Sequence, residues 1–436
     1  MRKMKDSGIE WIGEIPEEWE IVKTLYVLIM PITDGPHTTP ELFDEGIPFV
    51  SAEAVSCGNG QIDFNHIRGY ISKEFYDECC KKYIPKINDI YMIKSGATTG
   101  KVALVNTNRV FTIWSPLAVF RCDEQKMNYK YLYYTLQADY YLKQIETKWS
   151  FGTQQNIGMR VLEQLRICFP SMPEQQKISA FLDRKCSEID SVTAKTKATI
   201  EEYKKLKQAI ITQAVTKGIR KGRKMKDSGV EWIGEIPEEW IVSRVKYVSD
   251  FQPFCDTSHL SNDSIITYTP MENIKNGYYI DNKAPFGMVA SSLTPYCEGD
   301  IVIAKVTPCF ENGNISIMNN LSSGFGMGSS ELFVVRPKIM LTKYLFYWLQ
   351  NKQFISIACS TMTGTGGLKR VSPYFFKNSP ICLPDNDEQK EISTYLDEKC
   401  TAIDTLIAQK EQLLTELESY KKSVIYEYVT GKKETI

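Results

Sequence analysis

Two glycine-rich stretches are the first places where this sequence could do chemistry. Residues 96–101 read GATTGK, which approaches the phosphate-binding loop GxxxxGK[ST] but has one residue too few between the glycines. Val102 also stands where that loop needs a hydroxyl to hold magnesium. Residues 324–328 read GFGMG, but no strand–loop–helix unit with a distant acidic residue follows them. Neither stretch therefore predicts nucleotide binding.

The sequence also lacks the residue groupings of common catalytic and metal sites. Its 12 cysteines form no CxxC, its 3 histidines are scattered, and neither HExxH nor GxSxG occurs. Ser372-Pro373-Tyr374 falls one proline short of the Asn/Asp-Pro-Pro-aromatic stretch that amino-methyltransferases place around a flipped base. We therefore predict no catalytic residue, no metal ligand and no cofactor-binding residue, and we expect the cysteines to be buried and reduced.

The positioning elements are best introduced by a stretch that occurs twice. KMKDSGIEWIGEIPEEW occupies residues 3–19 and KMKDSGVEWIGEIPEEW residues 224–240, and the two differ only at Ile9 and Val230. We call each copy the opening motif. Its tryptophans are more typical of core or interface anchors than of base-stacking groups; they are Trp11, Trp19, Trp232 and Trp240.

The likeness between the halves returns in two stretches that are typical of long helices. Residues 173–190 and 387–404 match at an offset of 214, and neither proline nor glycine interrupts 174–217 or 388–430. Apolar residues recur there every seven positions, which favours coiled-coil packing. The predicted packing positions are Leu182, Ile189, Tyr203 and Ile210, then Leu396, Ile403, Leu417 and Val424, with Thr196 and Lys410 as misfits. A helix of 44 residues is roughly 66 Å long, so we expect an antiparallel pair acting as a rigid spacer. The alternative is two independent helices, each lying on its own domain.

Each predicted helix begins with the signature of a capping box. Ser171 precedes Glu174 by three positions, and Asp385 precedes Glu388 in the same way. Between the halves, residues 217–226 carry 6 basic residues in 10 (KGIRKGRKMK). This linker could touch phosphate, or it could simply be solvated.

The remaining parts of each half alternate short β-rich runs with Gly, Asn and Pro turns, followed by helical stretches. These heads, roughly 20–165 and 241–380, are predicted to be α+β, with mainly antiparallel strands.

The formal net charge of −1 argues against a chain that coats nucleic acid unaided. The longest apolar run, residues 25–31, is too short to span a membrane, and the N-terminus lacks the apolar region of a signal peptide. A cytoplasmic protein is the expectation.

In this order, the stretches resemble the specificity (S) subunit of type I restriction-modification enzymes. The resemblance covers essentially the whole chain. It is carried by WIGEIPEEW at 11–19 and 232–240, EQQKISAFLD and EQKEISTYLD at the starts of the long helices, NDIYMIKSGATTGKVALV at 88–105, FGTQQNIGMRVLEQLRICFP at 151–170, GDIVIAKVTPCFENGNISI at 299–317 and GSSELFVVRP at 328–337.

The resemblance implies an α+β protein with two target recognition domains. Each domain is followed by a long helix, and the helices form an antiparallel coiled coil with pseudo-two-fold symmetry. The implied partition is residues 1–170 for the first recognition domain, 171–217 for the central helix, 218–226 for the basic linker, 227–384 for the second recognition domain and 385–431 for the C-terminal helix.

It also implies a function without catalysis in this chain. Each recognition domain would read one half of a bipartite site in double-stranded DNA. The chain would dock two modification (methyltransferase) subunits and, through them, restriction (translocase and nuclease) subunits. S-adenosylmethionine, ATP and magnesium would be used by these partners for adenine methylation and cleavage. A degenerate scaffold that no longer reads DNA is one alternative, and a standalone enzyme using the GATTGK loop is another.

Polar loops after predicted strands are the expected DNA contacts, because such side chains read base edges and their amides meet phosphate. Residues 152–156 (GTQQN) and 366–370 (GGLKR) are matched at the 214 offset with exchanged side chains, as a specificity element should be. The alternatives are solvated turns and structural hairpins. The candidates are Lys94, Ser95, Thr98, Thr99, Lys101, Thr153, Gln154, Gln155 and Asn156 in the first half, and Lys305, Thr307, Asn312, Asn314, Lys369 and Arg370 in the second.

Overall fold

The computed structural model describes residues 2–151, 155–365 and 367–435, with only the backbone at 150 and 151. The chain divides into two compact units, Met1–Thr196 with Gln412–Ile436, and Lys197–Glu411. Both boundaries fall inside the long helices, so each unit contains helix residues together with a head. The sequence-based partition, which separates each head from its helix, stays a prediction.

The elements of the first half of the chain are short, except for the long helix that ends it. The strands are β1 (Met4–Asp6), β2 (Glu14–Pro16), β3 (Glu20–Lys23), β4 (Thr33–Asp34), β5 (Ile47–Val50), β6 (Gly69–Ile71), β7 (Ile90–Ile93), β8 (Val102–Leu104), β9 (Thr112–Ile113), β10 (Leu117–Phe120), β11 (Ser150–Phe151), β12 (Gln155–Asn156) and β13 (Arg166–Phe169). The helices are α1 (Ala52–Cys57), α2 (Lys73–Cys80), α3 (Tyr129–Gln137), α4 (Asp139–Glu146), α5 (Met159–Gln164) and the long α6 (Met172–Lys217).

The rest of the chain repeats this order with a larger second sheet. The strands are β14 (Met225–Asp227), β15 (Glu235–Pro237), β16 (Ile241–Arg244), β17 (Ser249–Phe251), β18 (Ile265–Thr269), β19 (Asn282–Pro285), β20 (Thr294–Cys297), β21 (Ile301–Ala304), β22 (Ile315–Ile317), β23 (Phe325–Gly328), β24 (Leu332–Pro337) and β25 (Pro380–Leu383). The helices are α7 (Val245–Val248), α8 (Thr342–Leu349), α9 (Lys352–Ser360), α10 (Pro373–Asn378) and the long α11 (Asn386–Val429).

Each head is built on a four-stranded antiparallel sheet of the same order. In the first unit the order is β4-β10-β7-β8, and in the second it is β17-β24-β21-β22. The central strands β7, β10 and β21 are buried along their whole length. Such strands read as continuous apolar runs because both of their faces are covered. The predicted mixture of helices and mainly antiparallel strands is confirmed.

The heads differ in their second sheet. The first has three short strands in the order β6-β5-β9, whereas the second has four in the order β19-β18-β23-β20. Strand β23 contains the GFGMG stretch. A Cβ added at Gly326 would lie 2.2 Å from the ring of Tyr296. The glycine therefore allows close packing of a strand on a buried ring, and no phosphate loop forms there.

The opening motif is fastened to the first turn of a long helix in each unit. The Trp19 indole Nε1 donates to Glu174 Oε2 at 2.9 Å, and Trp240 Nε1 donates to Glu388 Oε2 at 2.8 Å. Both indoles are buried, at 0% and 1% exposure. The same two glutamates also form ion pairs with arginines. Arg2 pairs with Glu174, and Arg223 pairs with Glu388. The prediction that these tryptophans are anchors is confirmed; Trp11 and Trp232 are half-buried.

This contact corrects the prediction of two complete capping boxes. Asp385 Oδ1 accepts from the Glu388 amide at 2.8 Å, so one arm of the second box is present. At the first helix the Glu174 amide donates instead to the backbone oxygen of Ser171, at 3.0 Å. The glutamate side chains bond an indole and a guanidinium instead of returning to the cap. A charge-assisted bond to arginine is the stronger use of a carboxylate.

The predicted packing stripe is buried at its first two positions in each long helix and drifts towards the C-terminal end. Buried members are Leu182, Ile189, Leu396, Ile403 and Val424, together with the misfit Thr196, whereas Tyr203, Ile210, Leu417 and Lys410 are half-buried. Towards the ends, the next positions, Ile211 and Ile425, are buried at 0% and 3% exposure. A straight α-helix drifts about 20° per heptad from a strict seven-residue repeat, so after four heptads the buried face moves by about one residue.

Matching ion pairs join the long helices inside each unit. In the first unit, Lys421 Nζ lies 2.6 Å from Asp190 Oδ1. In the second, Lys207 Nζ lies 2.7 Å from Asp404 Oδ2. Asp190 and Asp404 are 214 positions apart, as are Lys207 and Lys421. The repeated sequence thus places the same contact at the same level in both units.

The basic linker is engaged by acidic side chains. Arg220 pairs with Glu391 at 2.8 Å, and Arg223 bonds Glu388. Strand β14 also begins at Met225, within the predicted linker. Two of the linker's arginines are therefore occupied by the protein itself, which weakens the hypothesis that this segment touches phosphate.

Candidate nucleic-acid interface

The GATTGK stretch forms the tip of the β7–β8 hairpin. Gly96 and Gly100 adopt φ of 100° and 93°, a left-handed region that favours glycine. Thr99 Oγ1 donates to the Gly96 oxygen at 2.7 Å, and the Gly100 amide donates to Ile93 O at 2.8 Å. The glycines are thus explained by a tight turn.

Two backbone hydrogen bonds bring this tip against the next predicted loop. The Gly96 amide donates to Gln155 O at 3.0 Å, and the Ile157 amide donates to Lys94 O at 2.9 Å. Ser95 and Asn156 form an antiparallel bridge between these bonds. We call residues 94–101 with 155–157 the first face.

The second unit repeats this pair of hydrogen bonds with other residues. The Thr307 amide donates to Lys369 O at 3.0 Å, and the Val371 amide donates to Lys305 O at 2.9 Å. Val306 and Arg370 form the bridge between them. We call residues 305–314 with 369–371 the second face. The two pairs of loops that the sequence singled out therefore meet in each unit, on one backbone frame.

Lys94 corrects one candidate of the first face. Its side chain is buried, and its Nζ lies 3.3 Å from Oδ2 of Asp34, which is 0% exposed. Lys82 bonds the same carboxylate. Because the Lys94 ammonium faces an interior acid, it is not free to neutralise phosphate, and its place as a DNA contact does not fit the geometry.

The other candidates of the first face differ in exposure. Lys101, Gln155 and Asn156 are exposed, whereas Ser95, Thr98 and Thr99 are half-buried in the turn. Thr153 and Gln154 lie outside the described residues. The accessible chemistry that this face offers is thus one ammonium and two side-chain amides.

The second face centres on two cations around one carboxylate. Arg370 donates from Nε and one terminal nitrogen to the two oxygens of Glu331, each at 2.8 Å. These bonds hold the pKa of the Glu331 carboxyl below its usual value, and Glu331 raises the pKa of Arg370. Lys305 Nζ donates to Ser330 O at 2.7 Å and stands 4.0 Å from Glu331. A fixed guanidinium of this kind presents its remaining donors in one orientation.

The remaining candidates of the second face divide between support and surface. Thr307 Oγ1 donates to Gly367 O at 2.8 Å and accepts from the Lys369 amide at 3.0 Å. Its hydroxyl therefore holds the loop, and its assignment as a DNA contact stays a prediction. Lys369 and Asn312 are exposed, and Asn314 is half-buried.

A third segment flanks both faces and was missed from the sequence. The Lys94 amide donates to Pro116 O at 2.8 Å, and the Lys305 amide donates to Glu331 O at 3.0 Å. Residues 114–116 and 329–331 therefore occupy equivalent places, each just before a buried central strand. The sequence did contain a clue, because SPLAVF at 115–120 aligns with SSELFVV at 329–335. In both stretches a serine precedes an apolar run that forms the strand.

One grouping of possible metal ligands occurs among the described residues. It comprises Cys255, Cys297 and Asp300, whose ligand atoms lie within 4.8 Å of one another. Both oxygens of Asp300 already accept from Arg336, at 2.7 and 2.8 Å, so the carboxylate is occupied.

The cysteines form no disulfides among the described residues, but Cys57 is exposed, which corrects the expectation that all are buried. Across the described ranges, no helix is both long and apolar enough to cross a membrane.

Comparison with known proteins decides the family. The model of the type I restriction modification DNA specificity domain matches residues 16–202 and again 233–419, which is most of the chain. The chain belongs to this family. Each match begins inside an opening motif and ends within a long helix, so the family's unit coincides with the internal repeat.

Two curated relatives carry matching names. The chain is 33% identical over 197 residues to the type I restriction enzyme EcoAI specificity subunit of Escherichia coli, a match covering 44% of this chain and 32% of that relative. The chain thus spans about a third of the length of that subunit. It is 25% identical over 436 residues to the MjaVIII specificity subunit of Methanocaldococcus jannaschii, covering 96% of this chain and 93% of that one.

A solved structure shares the fold over the full length. It is a chain from work on complex assembly and conformational transition of the type I R-M system. The TM-score is 0.70 at 14% identity, with 96% of this chain and 99% of that chain covered. At this identity the likeness speaks for the architecture alone.

Proposed function

We propose that this chain is the DNA sequence-specificity subunit of a type I restriction-modification complex. Each unit would read one half of a bipartite DNA site through its own face. The observation that carries the proposal is the pair of faces. Two backbone hydrogen bonds, which together define one antiparallel bridge, recur in both, while the side chains around them are exchanged. A constant frame with exchanged polar residues is suited to reading two different sequences.

We further propose that the long helices form an antiparallel coiled coil with pseudo-two-fold symmetry. The Asp190–Lys421 and Lys207–Asp404 ion pairs support this, because the position on α11 falls from 421 to 404 as the position on α6 rises from 190 to 207. Their common offset of 214 supports the symmetry. Such a pair would fix the number of unread bases between the half-sites.

The partners follow from the same duplication. A frame that occurs twice offers two equivalent docking surfaces, which suits two copies of one modification subunit. Restriction subunits would join through these. We propose that the chain itself is non-catalytic and cytoplasmic, and that S-adenosylmethionine, ATP and magnesium act in the partner subunits.

The test is an adenine-methylation map. The chain is expressed with its modification subunit in a host that lacks other adenine methylation, and the genome is sequenced by a modification-sensitive method. We expect a split motif, two short half-sites with a fixed gap. If both proteins are soluble and associated but no motif appears, the proposal fails in favour of a scaffold. The isolated chain, with or without Lys101→Ala, should show no ATP hydrolysis, because the GATTGK tip is a turn and not a nucleotide site.

A further inference from the structure

An arginine beside the first face is held by a tryptophan ring. The guanidinium carbon of Arg68 lies 3.9 Å from the centroid of the Trp114 ring. Arg68 is exposed, and among the described residues its guanidinium forms no hydrogen bond or ion pair. Its positive charge is therefore oriented but not neutralised.

The ring that holds Arg68 is itself fixed next to the first face. The Trp114 amide donates to Val50 O at 2.9 Å, and two residues later Pro116 O accepts from the Lys94 amide at 2.8 Å. Gly35 packs under this turn, where a Cβ would lie 2.0 Å from Ile113 O. The turn that carries the Trp114 ring is thus held by backbone contacts on several sides.

Stacking of this kind prepares an arginine for recognition. The contact is a cation–π interaction that leaves the in-plane N–H donors of the guanidinium pointing away from the ring. Side-chain entropy is lost before a ligand arrives, so less is lost on binding. Two parallel donors match the O6 and N7 acceptors of guanine in the major groove.

In the second unit an arginine also contacts the segment that flanks its face, although this arginine lies in the face itself. There Arg370 is held by Glu331, in the segment equivalent to 114–116. We propose that Arg68 is a specificity-determining residue that reads a guanine in the half-site of the first unit. The inference rests on the proposed function, since it assigns a base to one residue of that site.

The experiment compares Arg68→Lys and Arg68→Ala with the wild type by quantitative methylation mapping, using the chain with its modification subunit. A lysine keeps the charge but loses the two-pronged donor set. We expect both variants to lose preference for guanine at one position of one half-site, roughly 5- to 150-fold, with the other half-site unchanged.

Arg109→Lys provides a matched control. Arg109 is exposed and lies over the ring of Phe64, with 4.7 Å from its guanidinium carbon to the ring centroid. It follows Val105, which pairs with Asn88 at the end of the β7–β8 hairpin remote from the tip. This variant should retain the wild-type motif.

Three outcomes would overturn the proposal. If Arg68→Lys behaves as wild type while Arg68→Ala weakens methylation at every sequence, the contact is to phosphate. If neither variant alters the motif but both lower the melting temperature, Arg68 only covers Trp114. If the affected position lies in both half-sites, the assignment to the first unit is wrong. A wild-type chain without a split motif would instead defeat the proposed function itself, so the two failures are distinguishable.

Discussion

The first and second faces share one antiparallel bridge and hold charge in different ways. On the first, Lys94 turns inward to Asp34, and the exposed cation beside the face is Arg68, stacked on a ring. On the second, Lys305 and Arg370 both stay near the surface around Glu331. The hairpin loops also differ, since residues 94–101 join β7 to β8 and the longer 305–314 joins β21 to β22. One common bridge can therefore support two different loops with two different charge patterns.

The opening motifs make the opposite comparison. Trp19 and Trp240 are buried to the same degree and donate to equivalent glutamates at 2.9 and 2.8 Å. Here sequence, contact and distance are all retained. The contact between the opening motif and the long helix is therefore the same in both halves of the chain, whereas the two faces differ.

The largest expected effect tests the equality of the supports. Replacing Trp19 or Trp240 by alanine should lower the free energy of unfolding of its own unit by about 3–5 kcal/mol, because a buried ring leaves a cavity. The free energies of unfolding of the two variants are measured by denaturant titration, with circular dichroism as the signal. Phenylalanine at either position, which keeps a ring and loses the N–H bond, is the milder control. A large loss at one site with none at the other would contradict the comparison.

Removing the arginine of the second face should have the next largest effect. Arg370→Ala leaves the Glu331 carboxylate without its two hydrogen bonds from arginine, and under the proposed function this unpaired acid would face the DNA. We expect methylation at sites with the preferred second half-site to fall roughly 10- to 100-fold, as expected for loss of one good bidentate base contact. Methylation-rate assays on matched oligonucleotides measure it. Equal losses with oligonucleotides altered in either half-site would show that the faces do not act separately.

The helix ion pairs should matter less and to the same extent. Lys421→Ala and Lys207→Ala each remove one partly exposed pair, worth about 0.2–1 kcal/mol, a contribution that salt should weaken. Thermal melting at low and high salt compares them. Unequal losses at low salt would argue against equivalent contacts in the two units.

The smallest effect is a pH dependence confined to the second unit. The pKa of Glu331 is lowered from its usual 4.5, first by its hydrogen bond from Arg370. Its stabilising contribution is therefore complete above about pH 4.5 and is lost as the pH falls through the lowered value. Melting of the wild type and Glu331→Gln should differ at pH 7 and converge in acid. A difference that grows on acidification would reverse the assigned sign.

The repeat, the heads, the long helices and the loop pairs were all accessible from the sequence, because they leave periodic or duplicated patterns. The inward turn of Lys94 was not, since its partner Asp34 lies 60 residues earlier and no local pattern links them. The Arg68–Trp114 contact was missed for the same reason. The packing stripe was predicted in register at the start of each long helix, while a strict seven-residue rule could not follow its drift to Ile211 and Ile425.

The central claim is that two faces on one frame read DNA independently. The most direct test is to replace residues 20–165 by the corresponding head of another family member and to map adenine methylation beside the wild type. We predict that one half-site changes while the other half-site and the gap length are retained. A change in both half-sites, a changed gap, or a continuous motif in the wild type would contradict it.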